Sequence, residues 1–136
     1  MLIIRKRYGG DNSFQNAVGR AMSDFMQNTH ATQMRGQGWT PKCDIYETES
    51  AIIVLLEIPG VSEDDIQIAF DPESGIMSVI GNRQSIAPEG RRRVLQMELP
   101  SGPFEKILRV NVYLHENSIS ATLDNGILKI VLPKFL

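Results

Sequence analysis

The sequence predicts an all-β protein, an antiparallel β-sandwich that follows a partly helical N-terminal arm. From Pro41 onward, seven or eight short apolar or alternating segments succeed one another within about 95 residues, with almost no helical periodicity among them. Turn-forming pairs separate the segments, among them Pro59-Gly60 and Asn125-Gly126. Two packed layers of short strands are the usual architecture for such a pattern.

The first 39 residues have a different character, because they contain one helical pattern. Apolar side chains recur on one face of a predicted helix at about residues 13–27, and they are Phe14, Ala17, Val18, Ala21, Met22, Phe25 and Met26. One helix of this length is marginally stable in water, so it must dock on another surface. Residues 27–38 are polar and contain glycine, which predicts a linker. We therefore divide the chain into an arm at 1–39 and a domain at 40–134.

The first half of the domain predicts four strands. They lie at residues 43–48, 51–58, 65–70 and 76–80. The second is a continuous apolar run, which is typical of a strand buried on both faces. The third alternates cleanly and places Ile66, Ile68 and Phe70 on one face. Gly81 ends the fourth.

The second half predicts a polar loop at 82–91 and four further strands. The strands lie at residues 94–98, 104–110, 118–123 and 127–132. Between the last two, Asn125-Gly126 accepts the positive φ angles of a type I′ turn. These two strands are therefore predicted to form a hairpin.

Composition excludes several functional classes. The net charge is −2, which gives no general attraction to nucleic acid. One cysteine, Cys43, and two histidines exclude an intrachain disulfide and make a metal cluster improbable. No apolar run approaches the roughly 20 residues that span a bilayer. We expect a cytoplasmic protein with no cofactor, no metal, no nucleic acid and no membrane partner.

Three smaller features invite functional interpretations that the sequence supports weakly. Residues 91–93 are consecutive arginines, but acidic residues flank them, which favours a solvated or subunit-pairing loop over a nucleic-acid site. His115, Ser118 and Asp124 have the residue types of a hydrolytic triad, but no nucleophile elbow or oxyanion hole accompanies them. Cys43 has only Lys42 beside it, which favours a small apolar residue on a strand over a reactive thiol. We therefore predict no catalytic residues.

Four motifs stand in order along the domain. They are Pro41-x-x-Asp44-Ile45-x-Glu47; Glu57-Ile58-Pro59-Gly60-Val61 with Asp64-Asp65-Ile66; Met77-x-Val79-x-Gly81-x-Arg83 with Gly102-x-Phe104-Glu105-Lys106; and Ala121-x-x-x-Asn125-Gly126-Ile127-Leu128, closed by Pro133-Lys134. Over about residues 40–134 the chain resembles the small heat-shock proteins, the family built on the α-crystallin domain.

The chain departs from the family pattern in two places. Val110-Asn111 stands where many members have Leu-Pro. No Ile-x-Ile or Ile-x-Val follows Pro133-Lys134, so we expect 135–136 to be a vestigial or truncated C-terminal extension. The similar letters of residues 130–132 fall inside the predicted last strand and are not counted.

The resemblance implies an immunoglobulin-like sandwich and a chaperone of the stress response. Members of the family are ATP-independent holdases, which bind partly unfolded client proteins and prevent their aggregation. The sequence agrees, because it contains no G-x-x-x-x-G-K-[ST] loop for ATP. The resemblance also implies a homo-oligomer built from strand-exchanged dimers.

Three surfaces follow as expectations. Clients are expected to contact the arm at Phe14, Val18, Met22, Phe25 and Met26, because Met and Phe side chains adapt to varied apolar partners. An equal alternative is that the arm helix packs on the domain or on another subunit. A groove is expected between Ile66 and Ile68 on an edge strand and Ile119, Ala121 and Leu123 on a late strand. Ordinary core packing is the alternative reading of those five residues.

The occupant of the groove stays open in the sequence. It is either empty or filled by Phe135 and Leu136, by arm residues or by a client. Residues 82–103 resemble the loop that family members exchange between subunits, and the dimer interface is expected at Cys43, Ile45, Arg93, Val94, Leu95 and Met97. Arg109 is expected to pair with an acidic residue across a subunit boundary. The alternative to a holdase is a co-chaperone-like β-sandwich that docks on one folded partner as a monomer.

Overall fold

A computed structural model describes residues 4–6, 38–110 and 113–135 of the chain. This part contains eight strands: β1 (Ile4–Lys6), β2 (Cys43–Glu47), β3 (Ala51–Glu57), β4 (Ile66–Asp71), β5 (Ile76–Arg83), β6 (Gly102–Arg109), β7 (Ser120–Asp124) and β8 (Ile127–Pro133). Two single-turn 3-10 helices, η1 (Glu63–Asp65) and η2 (Glu116–Ser118), precede β4 and β7. The predicted all-β class is confirmed.

The strands form two four-stranded sheets that pack face to face. One sheet has the order β1-β4-β5-β6 and the other the order β2-β3-β8-β7. Every pairing is antiparallel except that of β1 with β4, which is parallel. The result is the predicted β-sandwich, in which one β-strand from the N-terminal region joins the first sheet.

Alternate side chains of the inner strands make the core. From the first sheet they are Ile66, Ile68, Phe70, Met77, Val79, Phe104 and Leu108, and from the second Ile52, Val54, Leu56, Leu128, Ile130 and Leu132. Period-two alternation places these residues on the inward faces. The predicted burial of the second strand on both faces is only partly met, because Ile53 and Leu55 are half-buried.

The hairpin of β7 and β8 forms as predicted. Asn125 has a φ angle of 50° and Gly126 a φ angle of 78°, which are the left-handed values of a type I′ turn. The Ile58 amide donates to the Gly126 carbonyl at 2.8 Å, so the turn is tied to the end of β3. A Cβ atom at Gly126 would lie 2.8 Å from the Cα of Pro59, which restricts this position to glycine.

The strands differ from the prediction at three places. Residues 94–98, predicted as a strand that would pair on a partner subunit, form no strand within the single chain, and all of them are exposed. A strand needs a partner edge to satisfy its backbone groups, and nothing in the described part of the single chain supplies one here. The strand β1 was not predicted, because three residues are too short to show a period. Gly81 does not end β5, which continues to Arg83.

Candidate chaperone surfaces

The two sides of the sandwich differ in how they are closed. Trp39 forms an isolated parallel β-bridge with Phe104 in β6. Because Trp39 precedes β2 by only a few residues, β6 and β2 lie on the same side of the sandwich. An electrostatic interaction between Lys106 in β6 and Cys43 in β2 agrees with this placement. Given the two strand orders, β4 and β7 lie on the opposite side. We call that side the β4–β7 margin.

The predicted groove residues lie at the β4–β7 margin. Ile66 and Ile68 belong to the buried core. Ile119, Ala121 and Leu123 are partly buried and pack against that core. At this margin β4 therefore contributes buried core, and residues 119–123 contribute partly buried side chains; the groove itself stays a prediction.

The description of β4 as an edge strand was wrong. Its outer side pairs with β1, in the register Ile4↔Ile68, Arg5↔Ala69 and Lys6↔Phe70. An open sheet edge exposes unpaired backbone groups, and β1 satisfies those of β4. A segment from the N-terminal region thus covers the β4 side of this margin.

Phe135, a candidate occupant of the predicted groove, contacts the segment that contains Tyr113 and His115. Its ring centroid is 4.3 Å from that of His115, and its amide donates to the Tyr113 carbonyl at 2.8 Å. Leu136 lies outside the described residues. The arm positions Phe14, Val18, Met22, Phe25 and Met26, and the helix predicted for them, also lie outside the described residues.

The opposite side of the second sheet ends in β2, whose outer edge we call the β2 edge. In the described part of the chain, β2 pairs with β3 alone. Ile45 is 50% exposed and the neighbouring Tyr46 is 54% exposed. Lys134 fixes the far end of the strand, because its Nζ lies 2.7 Å from Glu47 Oε1 and donates to the Thr48 carbonyl at 2.7 Å. The β2 edge is therefore held in place, and no described strand pairs with it.

Residues 84–101, between β5 and β6, form what we call the exchange loop. Large apolar side chains project from it into solvent: Ile86, Val94, Leu95, Met97 and Leu99, of which Leu95 is 82% exposed. The predicted interface residues Arg93, Val94, Leu95 and Met97 therefore share one exposed loop. Within the single chain they form no strand with Cys43 and Ile45 of the β2 edge.

Cys43 is a free, half-buried thiol in β2. Burial raises the pKa of this thiol, the charge of Lys106 opposes the shift and Asp44 adds to it. Lys106 is a cation that sequence neighbours do not reveal, since it comes from β6 across the sandwich. Desolvation still dominates, and a raised pKa keeps the thiol protonated and poorly nucleophilic at neutral pH.

The three residues with the residue types of a hydrolytic triad, His115, Ser118 and Asp124, all lie at exposed positions. The His115 ring packs on Phe135, and Ser118 and Asp124 are exposed on η2 and β7. The described residues include no cluster of His, Cys, Asp or Glu that would hold a metal ion. No helix among them is long and apolar enough to cross a membrane.

Fold and surfaces together define a class: an immunoglobulin-like β-sandwich that presents an apolar loop to solvent and, among residues 38–110 and 113–135, leaves the outer edge of β2 without a partner strand. Residues 44–135 match the family model described as Hsp20/alpha crystallin family. The chain belongs to that family, which is one of small heat-shock chaperones rather than enzymes. The resemblance that the sequence motifs indicated is confirmed.

Curated relatives are similar over most of the chain. The chain is 29% identical to the probable 15 kDa heat shock protein of Leptospira interrogans, over 88% of each chain. It is 30% identical to small heat shock protein C2 of Rickettsia felis, over 69% of this chain and 60% of that one. The chain thus matches less than two thirds of the Rickettsia protein's length.

Solved structures share the sandwich. A small heat-shock protein from Xylella fastidiosa, described as having a distinct high order structure, superposes with a TM-score of 0.64 at 26% identity. That match covers 72% of this chain and 88% of the other. Heat shock protein 16.0 of Schizosaccharomyces pombe gives a TM-score of 0.62 at 28% identity, over 71% and 87% of the two chains.

Proposed function

We propose that the protein is an ATP-independent holdase of the cytoplasm, which binds partly unfolded proteins and prevents their aggregation. In this proposal it acts as a homo-oligomer built from strand-exchanged dimers. Family membership supports the chaperone role.

One observation carries the proposal: an apolar loop and an unpaired strand edge are both exposed on one chain. Leu95 and Met97 are 82% and 69% exposed, which is costly for a chain that stays alone in water. The β2 edge carries unpaired backbone groups beside Ile45. If the exchange loop of one subunit adds a strand to the β2 edge of another, the exposed apolar side chains become buried and the backbone groups of the edge become hydrogen-bonded. The distinct high order structure described for the Xylella relative supports assembly into an oligomer.

Two surfaces remain for clients in the proposal. The arm residues Phe14, Val18, Met22, Phe25 and Met26 supply adaptable apolar side chains. The half-buried Ile119, Ala121 and Leu123 offer a second apolar border at the β4–β7 margin. Neither surface needs ATP, since capture rests on apolar burial alone.

Dimer formation is tested by the mass of the full chain in solution. We expect a dimer or a larger assembly, and we expect the double substitution Leu95→Ser with Met97→Ser to release monomers. The matched control is Glu89→Ser with Arg91→Ser, which alters the same loop without removing apolar area. A monomeric parent chain would contradict strand exchange and favour the co-chaperone alternative.

Holdase activity is tested by light scattering of a heated, aggregating client without nucleotide. The parent chain should suppress the scattering. The triple substitution of Phe14, Met22 and Phe25 by Ser should weaken suppression because it removes apolar contact area. A matched control replaces Gln15, Asn16 and Gln27 by Ser. Suppression that needs ATP, or none at all, would contradict the proposal.

A further inference from the structure

The base of the exchange loop is built around one arginine. Arg83, the last residue of β5, pairs with Gly102, the first residue of β6, and these two residues close the loop. From residue 84 to residue 100, every residue except Ala87 is exposed. Because the loop has so little packing of its own, contacts at its base decide the direction in which it leaves the sheet.

The Arg83 guanidinium ties the loop to a neighbouring turn. Nε donates to the Pro100 carbonyl at 2.9 Å, and Nη2 donates to the same oxygen. Nη1 donates to the Pro59 carbonyl at 3.2 Å. Both acceptors belong to prolines, whose ring fixes φ and limits backbone movement. Arg83 thereby holds the end of the loop at Pro100 against the turn at Pro59-Gly60 that follows β3.

The same guanidinium lies over the ring of Trp39. Its Cζ is 4.3 Å from the ring centroid, within the range of a cation–π interaction. Trp39 is bound to β6 by three hydrogen bonds: its Nε1 donates to the Gly102 carbonyl (3.2 Å), its amide donates to the Pro103 carbonyl (3.0 Å), and its carbonyl accepts from the Glu105 amide (3.3 Å). The indole also packs on Phe104, with ring centroids 5.2 Å apart.

Trp39 connects this cluster to the β2 edge. The chain runs from Trp39 through the buried Pro41 into Cys43, where β2 begins. The exchange loop and the β2 edge therefore both begin close to one cluster, which consists of Arg83 and Trp39. A change in this cluster alters the angle between donor and acceptor.

We infer that Arg83 is a positioning residue for subunit pairing: with Trp39 it directs the exchange loop away from the chain's own β2 edge and towards that of a second copy. This inference rests on the proposed strand exchange. The chemistry requires arginine, because a planar guanidinium donates in two directions while it stacks on an aromatic ring. A lysine ammonium is a point charge that cannot keep all three contacts.

The test compares Arg83→Met and Arg83→Lys with the control Arg92→Met in the full chain. Arg92 lies in the same loop, and the hydrogen bond that it makes among the described residues is to the nearby Gly90 carbonyl. We expect about tenfold weaker dimerisation for Arg83→Met, a smaller loss for Arg83→Lys and no change for the control, measured by sedimentation equilibrium. Circular dichroism establishes that each variant keeps its strands.

Tryptophan fluorescence reports on the environment of the Arg83–Trp39 cluster, because Trp39 is the single tryptophan of the chain. Arg83→Met should shift the Trp39 emission to longer wavelength and increase its quenching by acrylamide, and Arg92→Met should change neither. If Leu95→Ser with Met97→Ser releases monomers but both Arg83 variants dimerise as tightly as the parent, the inference is overturned and strand exchange stands. If the loop double variant stays dimeric, strand exchange itself fails. Should Arg83→Met lose its strands, Arg83→Lys decides by the same criterion.

Discussion

At the scale of single residues, Glu105 shows how the sandwich alters a titrating group. The side chain is half-buried on β6, and burial raises the pKa of its carboxyl above the ordinary value. The folded chain therefore binds this proton more tightly than the unfolded chain does. Between the ordinary pKa and the raised one, the free energy of unfolding falls as pH rises, and the cost is fully present above the raised pKa.

Glu105→Gln should remove this cost. We expect the variant to unfold at higher urea concentration than the parent at neutral pH, and the difference should shrink as pH falls to about 4. Urea midpoints measured across that range test the expectation. Glu89→Gln is the control, since Glu89 is an exposed loop residue. A difference that grows with acidity would contradict the assigned shift.

Residue chemistry was predictable where neighbours in sequence decide it. The Asn125-Gly126 turn was readable because its φ requirement is local. The environment of Cys43 was not, because Lys106 reaches it from another sheet. The Arg83–Trp39 contact was hidden for the same reason, since the two residues are far apart in the chain.

At the scale of elements, β1 is the feature with the clearest experimental consequence. Three residue pairs join it to β4, so a single proline can disrupt most of the pairing. Arg5→Pro removes an amide donor and fixes φ, and proline is poorly tolerated inside a ladder.

Hydrogen exchange measures this disruption. We expect the β4 amides that point towards β1 to lose roughly tenfold of their protection in Arg5→Pro, while Arg5→Ala leaves them close to the parent. The amides of β4 that pair with β5 serve as an internal reference. Equal protection in both variants would show that β1 does not cover the β4 edge in solution.

Strands that bury only one face were the easiest elements to predict from the sequence. The strand β4 alternates because only one of its faces meets the core, so its period is visible in the letters. Residues 94–98 have strand-like letters but no partner edge in one chain, and they stay irregular. Strand propensity predicts the tendency to pair, whereas the pairing itself depends on what lies alongside.

At the scale of the whole molecule, stability should follow the inward face of β8. Leu128 and Ile130 are fully buried, whereas Ile127 on the same strand is 39% exposed. Leu128→Ala and Ile130→Ala should each lower the free energy of unfolding by about 2–5 kcal/mol, because each leaves a cavity. Ile127→Ala, the control, should cost less than about 1 kcal/mol.

Urea unfolding at one fixed protein concentration measures these changes, since assembly makes apparent stability depend on concentration. Similar losses for the buried and the exposed positions would contradict the two-layer packing.

The overall class was predictable because inward alternation repeats in strand after strand. The coverage of each sheet edge was not, since edges meet partners that local periodicity does not encode.

The position of β8 in the second sheet has a consequence for how the protein is made. β3 lies between β2 and β8 in the sheet, and its pairing with β8 joins residues that are 70 (Glu57↔Ile127) to 82 (Ala51↔Pro133) positions apart in the chain. During synthesis, the apolar strand β3 therefore leaves the ribosome well before β8, its neighbour in the sheet. Until β8 has been translated, β3 lacks this neighbour and can pair with another chain, so the nascent protein is itself prone to aggregation during that interval.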